Sequence, residues 1–145
     1  MATHLVTGAA GFIGSHLAET LLLRGEQVIG VDQFNDYYDS TLKRKNAIPL
    51  EKYDNFQLIE ADIQTVDWQT ILKDKDIKVI YHQAAQAGVR ASWGDSFRHY
   101  TERNINATQV LLEAAKDLPS LQRFVYASTS SVYGDAETMP TPETV

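Results

Sequence analysis

The segment Thr7-Gly8-Ala9-Ala10-Gly11-Phe12-Ile13-Gly14 limits the possible folds more than any other part of the chain. It joins a short β-type run, Thr3 to Thr7, to a stretch with helical spacing from Phe12 to Arg24. That stretch is apolar at Ile13, Leu17 and Leu21, and Gly25 follows where a C-terminal cap belongs. Gly8 permits a tight turn, Gly11 lets a backbone approach a phosphate closely, and Gly14 lets helix and strand pack together. A helix that starts this way presents unpaired N–H groups and a positive dipole end to an anion. A glycine-rich turn with no ligand is the alternative for the loop taken alone.

Strand and helix signals then alternate. Gln27 to Asp32, Phe56 to Ala61, Ile77 to His82 and Arg123 to Ser128 read as further strands. Between them lie a short helix from about Val66 to Lys73 and a long one from about Asp95 to Leu118. Such alternation predicts βαβ units, and the right-handed crossover rule turns them into an α/β fold, a doubly wound parallel sheet. The stretch from Gln33 to Tyr53 reads as irregular, with at most a helical turn around Lys43-Arg44-Lys45. Asp135 to Val145 reads as a polar loop with Pro140 and Pro142.

With 145 residues the chain has the size of one domain. A net charge of -6 argues against nucleic acid or an anionic membrane surface as its main partner. The absence of cysteine excludes disulfides and thiolate metal sites and fits a reducing compartment. No apolar run approaches the ~20 residues that span a bilayer, and no leader pattern opens the chain, so the expected location is cytoplasmic. His4, His16, His82 and His99 lack the spacing of a ligand set, and no metal is expected.

Asp32 ends the second strand a little more than the ~20 residues beyond Gly8 expected of a dinucleotide fingerprint. A carboxylate there accepts hydrogen bonds from ribose hydroxyls and repels a 2′-phosphate, which favours NAD over NADP. The next residue is Gln33, not Arg, in agreement. Lys43, Arg44 and Lys45 could reach a phosphate, but a solvated charge run is the plainer reading.

TGAAGFIG followed by VIGVD resembles the extended short-chain dehydrogenase/reductase family, and further segments match it in order. Ala61-Asp62-Ile63 stands where the family places an Asp beside the adenine. His82-Gln83-Ala84-Ala85 stands where small residues pass under the cofactor, and Ala127-Ser128-Thr129-Ser130-Ser131-Val132-Tyr133-Gly134 where the family has its catalytic Ser/Thr segment. All lie at the carboxyl ends of predicted strands, the edge at which doubly wound sheets bind ligands. Within the family, Asp32 to Asp39 and Gln86 to Ser92 look like the UDP-glucuronate 4-epimerase group, with UDP-glucose 4-epimerases as near relatives. The cluster Phe34, Tyr37 and Tyr38 reads equally well as a loop packed over the sheet edge.

The resemblance implies a Rossmann-type NAD domain spanning residues 1–145. Gly8, Gly11, Phe12, Ile13, Gly14, Asp32, Asp62, Ile63, Gln83, Ala84, Ala85, Asn104, Ala127 and Ser128 would be its cofactor contacts. It further implies that NAD takes a hydride from C4 of a UDP-sugar and returns it to the other face. Thr129 would orient the C4 hydroxyl, with Ser128 as rival if the register slips by one, and Ser130 would help bind substrate. Arg90 would meet the substrate's phosphate or sugar carboxylate, or is a surface residue. Asn104 falls inside the stripe of Phe97, Tyr100, Ala107, Leu111, Ala114 and Leu118, where an unpaired buried amide is unfavourable. It either supports the site or bridges two core elements.

The family's general base is the Tyr of a Tyr-x-x-x-Lys pair. No tyrosine of this sequence has a lysine four residues on. The expectation is an incomplete domain, truncated after about the fifth strand, with the sugar-binding domain outside this sequence and no epimerase turnover of its own. Apolar surface near the last strand, or a homo-oligomer covering it, should follow. A stand-alone NAD-binding module, a dehydratase or reductase of the same family, and a scaffold with a vestigial site are the alternatives.

Overall fold

The computed structural model describes residues 1–72 and 74–144. Five strands form one parallel sheet: β1 (Thr3–Thr7), β2 (Gln27–Asp32), β3 (Phe56–Glu60), β4 (Ile77–His82) and β5 (Arg123–Tyr126), in spatial order β3-β2-β1-β4-β5. This is the doubly wound order, and it reverses direction between β1 and β4. The inner strands β1 and β2 are buried almost throughout, as covered parallel strands must be, whereas β3 and β5 form the edges.

Alternate residues of β1 feed two cores, because successive strand side chains point to opposite faces. Val6 packs with Ala18, Leu21 and Leu22 of α1 (Phe12–Leu23) and with Leu50 of α2 (Ser40–Leu50). Leu5 packs on the other face with Ile80, with Trp68 and Leu72 of α3 (Trp68–Leu72), and with Ala107, Leu111 and Ala115 of α5 (Ala107–Ala115). Gly25, at φ 81, terminates α1, its N–H donating to Leu22 O at 2.9 Å while Glu26 N–H reaches back to Leu21 O.

Four expectations need correction. The stretch 33–53 is not mainly irregular: α2 runs for 11 residues, capped by Asp39, whose Oδ1 accepts from Thr41 N at 2.9 Å. Its polar composition concealed a buried row of Lys43, Ala47 and Leu50 at helical spacing. Lys43 is therefore not a solvated charge; it is buried. The helix placed at 95–118 is broken into a 3₁₀ turn (Gly94–Ser96), α4 (Phe97–Tyr100), a π-helical segment (Thr101–Asn106) and α5. The wider π turn shifts the phase of the apolar stripe, which holds from Ala107 onward but leaves Phe97 exposed. In α1 the buried face carries Gly14, Ser15, Ala18, Leu21 and Leu22, so Ile13 is exposed at the helix start.

Smaller boundaries also move. α3 is confined to Trp68–Leu72, with Lys73 outside the described residues, and β5 ends at Tyr126. Tyr133 lies in a 3₁₀ turn (Ser130–Tyr133) beyond that strand. Val125 and Tyr126 of the β5 edge are exposed, as is Leu112 on α5. Among the described residues no helix is long and apolar enough to cross a membrane.

Candidate functional site

A cleft opens over the carboxyl ends of β1, β2 and β4, at the point where strand order reverses. Gly8 forms its floor in the left-handed conformation (φ 67), its N–H bonded to Val31 O at 2.8 Å. A Cβ at Gly8 would lie 2.9 Å from the Ala84 backbone, and one at Gly14 only 2.1 Å from Gly8 O. The glycine turn is thus wedged between the β4 exit and the first turn of α1, and side chains are excluded by backbone on both sides. Gly11 caps α1 without any side-chain acceptor, and no acidic residue occupies the first turn. The first N–H groups of the helix remain available to an external anion.

Asp32 sits beside this turn, buried, at the end of β2. Its Oδ2 accepts from Ala10 N at 3.1 Å and its Oδ1 from Phe34 N at 2.8 Å. Each oxygen retains a further lone pair, and the residue lines the cleft. The carboxylate therefore braces the glycine loop and the β2 exit while keeping acceptor capacity. Asn46 of α2 reinforces the same loop, donating from Nδ2 to Ala10 O at 3.0 Å.

The β4 end is held by a chain of hydrogen bonds with one consistent direction. Ala84 N–H donates to Thr7 Oγ1 (3.2 Å), Thr7 donates to His82 Nδ1 (2.7 Å), and His82 Nε2–H donates to Thr108 Oγ1 (2.9 Å). Thr108 donates in turn to the Asn104 carbonyl at 2.8 Å. This order requires a neutral His82 protonated at Nε2. Burial among uncharged groups pushes the imidazole down to about 4. Asn104 completes the brace: its Oδ1 accepts from Gln86 N at 2.7 Å and its Nδ2 donates to Gln86 O at 3.1 Å. Its side-chain amide thus pairs with the backbone leaving β4, which accounts for a polar residue inside an apolar stripe.

The residues singled out in the sequence divide into groups. Gly8, Asp32, Asp62, Ile63, Gln83, Ala84 and Ala85 line the cleft. Gly11, Phe12, Ile13 and Gly14 form the helix start beside it, with Phe12 and Ile13 largely exposed. Asn104 stands behind the lining and acts on it through Gln86. Ala127 donates its N–H to His82 O at 3.1 Å, at the exit of β5. Ser128, Thr129 and Ser130 follow, all exposed, and Thr129 Oγ1 caps the next turn by accepting from Ser131 N at 3.2 Å. Arg90 is exposed on the loop after β4 and lies outside the cleft lining.

Sequence reasoning left the second wall open: it offered Tyr37 and Tyr38 as a loop over the sheet edge and Lys43 as one of three cations that could reach a phosphate, but did not single out Asn35 or Arg103. Asn35, Tyr37, Tyr38 and Lys43 line the cleft from the loop after β2 and from α2, and Gln86 and Arg103 line it opposite. Tyr37 OH donates to Ala87 O at 2.8 Å, and Tyr100 OH to Gly88 O at 2.5 Å, so the loops after β2 and β4 are tied together. Lys43 Nζ donates to Asn35 O (3.1 Å) and Oδ1 (2.6 Å) and lies 4.8 Å from the Tyr38 ring centroid. Burial holds its ammonium below the ordinary lysine range against the pull of Asp32, and Arg103 adds to the lowering. Arg44 instead turns outward to Glu60, in a bidentate pair at 2.7 and 2.5 Å. Among the described residues no three His, Asp or Glu side chains are grouped to hold a metal ion.

A parallel sheet of this order, with a glycine turn leaving β1 and a buried carboxylate ending β2, defines an α/β domain of the dinucleotide-binding class. The chain belongs to the GDP-mannose 4,6 dehydratase family, which it matches over residues 5–145, and through it to the extended short-chain dehydrogenase/reductases. It is 48% identical over 134 residues to the uncharacterized UDP-glucose epimerase YtcB of Bacillus subtilis, covering 92% of this chain and 42% of that protein. It is 44% identical over 134 residues to the UDP-glucuronate 4-epimerase of Thermodesulfobacterium geofontis, covering 92% of this chain and 41% of that one. The crystal structure of UDP-glucuronic acid 4-epimerase from Bacillus cereus, in complex with UDP-glucuronic acid and NAD, superposes with a TM-score of 0.89. Identity there is 46%, over 99% of this chain and 45% of that one. The chain therefore spans less than half the length of these relatives.

Proposed function

We propose that residues 1–145 are the NAD-binding domain of a UDP-sugar 4-epimerase, of the UDP-glucuronate/UDP-galacturonate type. The observation that carries this reading is the buried Asp32 carboxylate beside the left-handed Gly8 turn, at the head of an uncapped helix. The residues present fit such a cofactor: a Cβ would fill the cradle at Gly8 and Gly14, and Asp32 keeps acceptor capacity for ribose hydroxyls. The likeness to epimerases solved with NAD supports the cofactor, and their UDP-glucuronic acid complex supports the substrate class.

In this reading the helix start at Gly11 to Gly14 receives the diphosphate, while Asp62 and Ile63 flank the adenine. Asn104, through Gln86, fixes the strand end under the nicotinamide side. NAD, when bound, supplies the reversible hydride acceptor for C4 of the sugar. Thr129 orients the C4 hydroxyl, and Ser130 and Arg90 meet the substrate. The proton of that hydroxyl needs a base, and this sequence offers no Tyr-x-x-x-Lys pair to take it. A cytoplasmic location, where NAD and nucleotide sugars are available, goes with this function.

Titration of the purified chain with NAD and NADP tests the cofactor, with NAD bound more tightly because of Asp32. No binding of NAD at millimolar concentration would refute the reading. The substrate class is tested by assaying an enzyme that carries this domain in full length for interconversion of UDP-glucuronate and UDP-galacturonate.

A further inference from the structure

We infer that Lys43 and Arg103 form a two-cation clamp for the diphosphate of the dinucleotide, a role that rests on the NAD reading above. Both side chains line the cleft, and they reach it from opposite walls, Lys43 from α2 and Arg103 from the π-helical segment. The Arg103 guanidinium lowers the proton affinity of the Lys43 ammonium, against the pull of Asp32 and Asp36. Among the described residues neither belongs to an ion pair.

Each cation is instead held by a neutral amide. Lys43 Nζ donates to Asn35 O and Oδ1, and Arg103 Nη1 donates to Gln86 Oε1. An amide orients a cation without neutralising it, so the positive charge is preserved for something else. Lys43 is only 5% exposed, and burying an ammonium without a directly paired carboxylate is unfavourable. Of the carboxylates in its field, Asp32 already accepts from two backbone N–H groups, and neither Asp32 nor Asp36 forms an ion pair with it. Arg103 uses one of its five donors on Gln86, which leaves a fork of donors at the cleft.

Two cations without a contact ion pair thus reach one cleft, whose lining also carries the carboxylates of Asp32 and Asp62. An anion between them relieves their mutual repulsion and supplies the contact partner that Asp32 and Asp62 do not. A dinucleotide bound across Gly8 brings a diphosphate of two negative charges to this span. The π turn contributes directly: it aims consecutive residues at the site, Asn104 onto the backbone of Gln86 and Arg103 onto its side chain.

The test is titration of the wild-type chain and of Arg103→Gln and Arg103→Lys variants with NAD, ADP-ribose, adenosine and UDP. Arg103 is partly exposed, so its replacement leaves the core intact. Arg103→Gln should weaken NAD and ADP-ribose binding by about tenfold or more, the size of a lost set of charge-assisted hydrogen bonds, and leave adenosine unchanged. Arg103→Lys should restore much of the loss, and the salt dependence of ADP-ribose binding should be shallower in Arg103→Gln than in wild type. Equal weakening of adenosine and ADP-ribose, no weakening of either, or weakening confined to UDP would each overturn the clamp while leaving NAD binding by the wild type in place. Wild-type protein that binds neither NAD nor ADP-ribose would overturn the NAD reading itself, and the clamp with it.

Discussion

Acidification should weaken this fold through one imidazole, and the size of the effect can be worked from the structure. His82 is 1% exposed, and its relay from Ala84 through Thr7 to Thr108 requires Nδ1 to accept and Nε2 to donate. Burial brings its pKa down to about 4 from an ordinary 6.5. Below about pH 6.5 the unfolded chain takes up a proton at this residue while the folded chain does not. Folded stability is therefore lost as the pH falls through the interval between the two values, by about 3 kcal/mol by the time pH 4 is reached. That is a large part of the ~5–15 kcal/mol that holds a typical domain together.

The assay is urea denaturation of wild type and of His82→Gln at pH values from about 7 down to 4. His4, which burial also lowers against the pull of Glu26, contributes a slope of the same sign in both proteins and cancels in the comparison. Asp39, Glu60 and Asp67 sit below the usual carboxylate range and lose their contributions mainly near and below pH ~4, at the acid end of the window. Wild type should fall more steeply than the variant across the interval. Parallel curves would refute the assignment of a neutral, relay-forming His82.

Gly14→Ala should destabilise the chain by more than about 3 kcal/mol or prevent soluble expression, because its Cβ meets Gly8 O at 2.1 Å and only backbone can move; thermal melting reads this directly. Asp32→Ala should weaken NAD binding by about tenfold or more in a calorimetric titration and also lower the melting temperature, since Ala10 and Phe34 N–H groups lose their acceptor. Asn104→Ala should release the Gln86 backbone, costing about 1–3 kcal/mol and a measurable part of the NAD affinity. The exposed Val125, Tyr126 and Leu112 should give the purified chain either hydrophobic-dye binding or self-association, and a monomer that binds no dye would contradict this. The same preparation should show no epimerase turnover with UDP-glucuronate and NAD, and measurable turnover would contradict the need for a Tyr-x-x-x-Lys base.

Sequence periodicity was a sufficient guide wherever one local rule governed the outcome. Thr3–Thr7, Gln27–Asp32 and Ile77–His82 are strands with the boundaries their apolar runs predict, because inner parallel strands are covered on both faces and are predominantly apolar. The glycine turn was legible for a similar reason: Gly8 and Gly14 stand where backbone meets backbone, and no other residue fits. Asp32 was legible from its place at a strand end. Asn104 stood out as a polar interruption of an apolar stripe, although its partner, the Gln86 backbone, was not foreseeable.

What tertiary structure decided was the fate of the charges and the far wall of the cleft. Lys43 sits in a Lys-Arg-Lys run, yet one cation is buried, the next pairs with Glu60, and the third faces solvent. Composition assigns all three the same value; only the packing of α2 against the sheet separates them. Arg103 reaches the cleft because a π turn rephases its helix, and that turn has no periodic signature of its own. The sequence by itself determined the strands, the glycine turn and the acidic strand end, since each follows from local pattern or from contacts within a βαβ unit. Which cations line the cleft depended on elements distant in sequence meeting across it, and local pattern carries no record of such meetings.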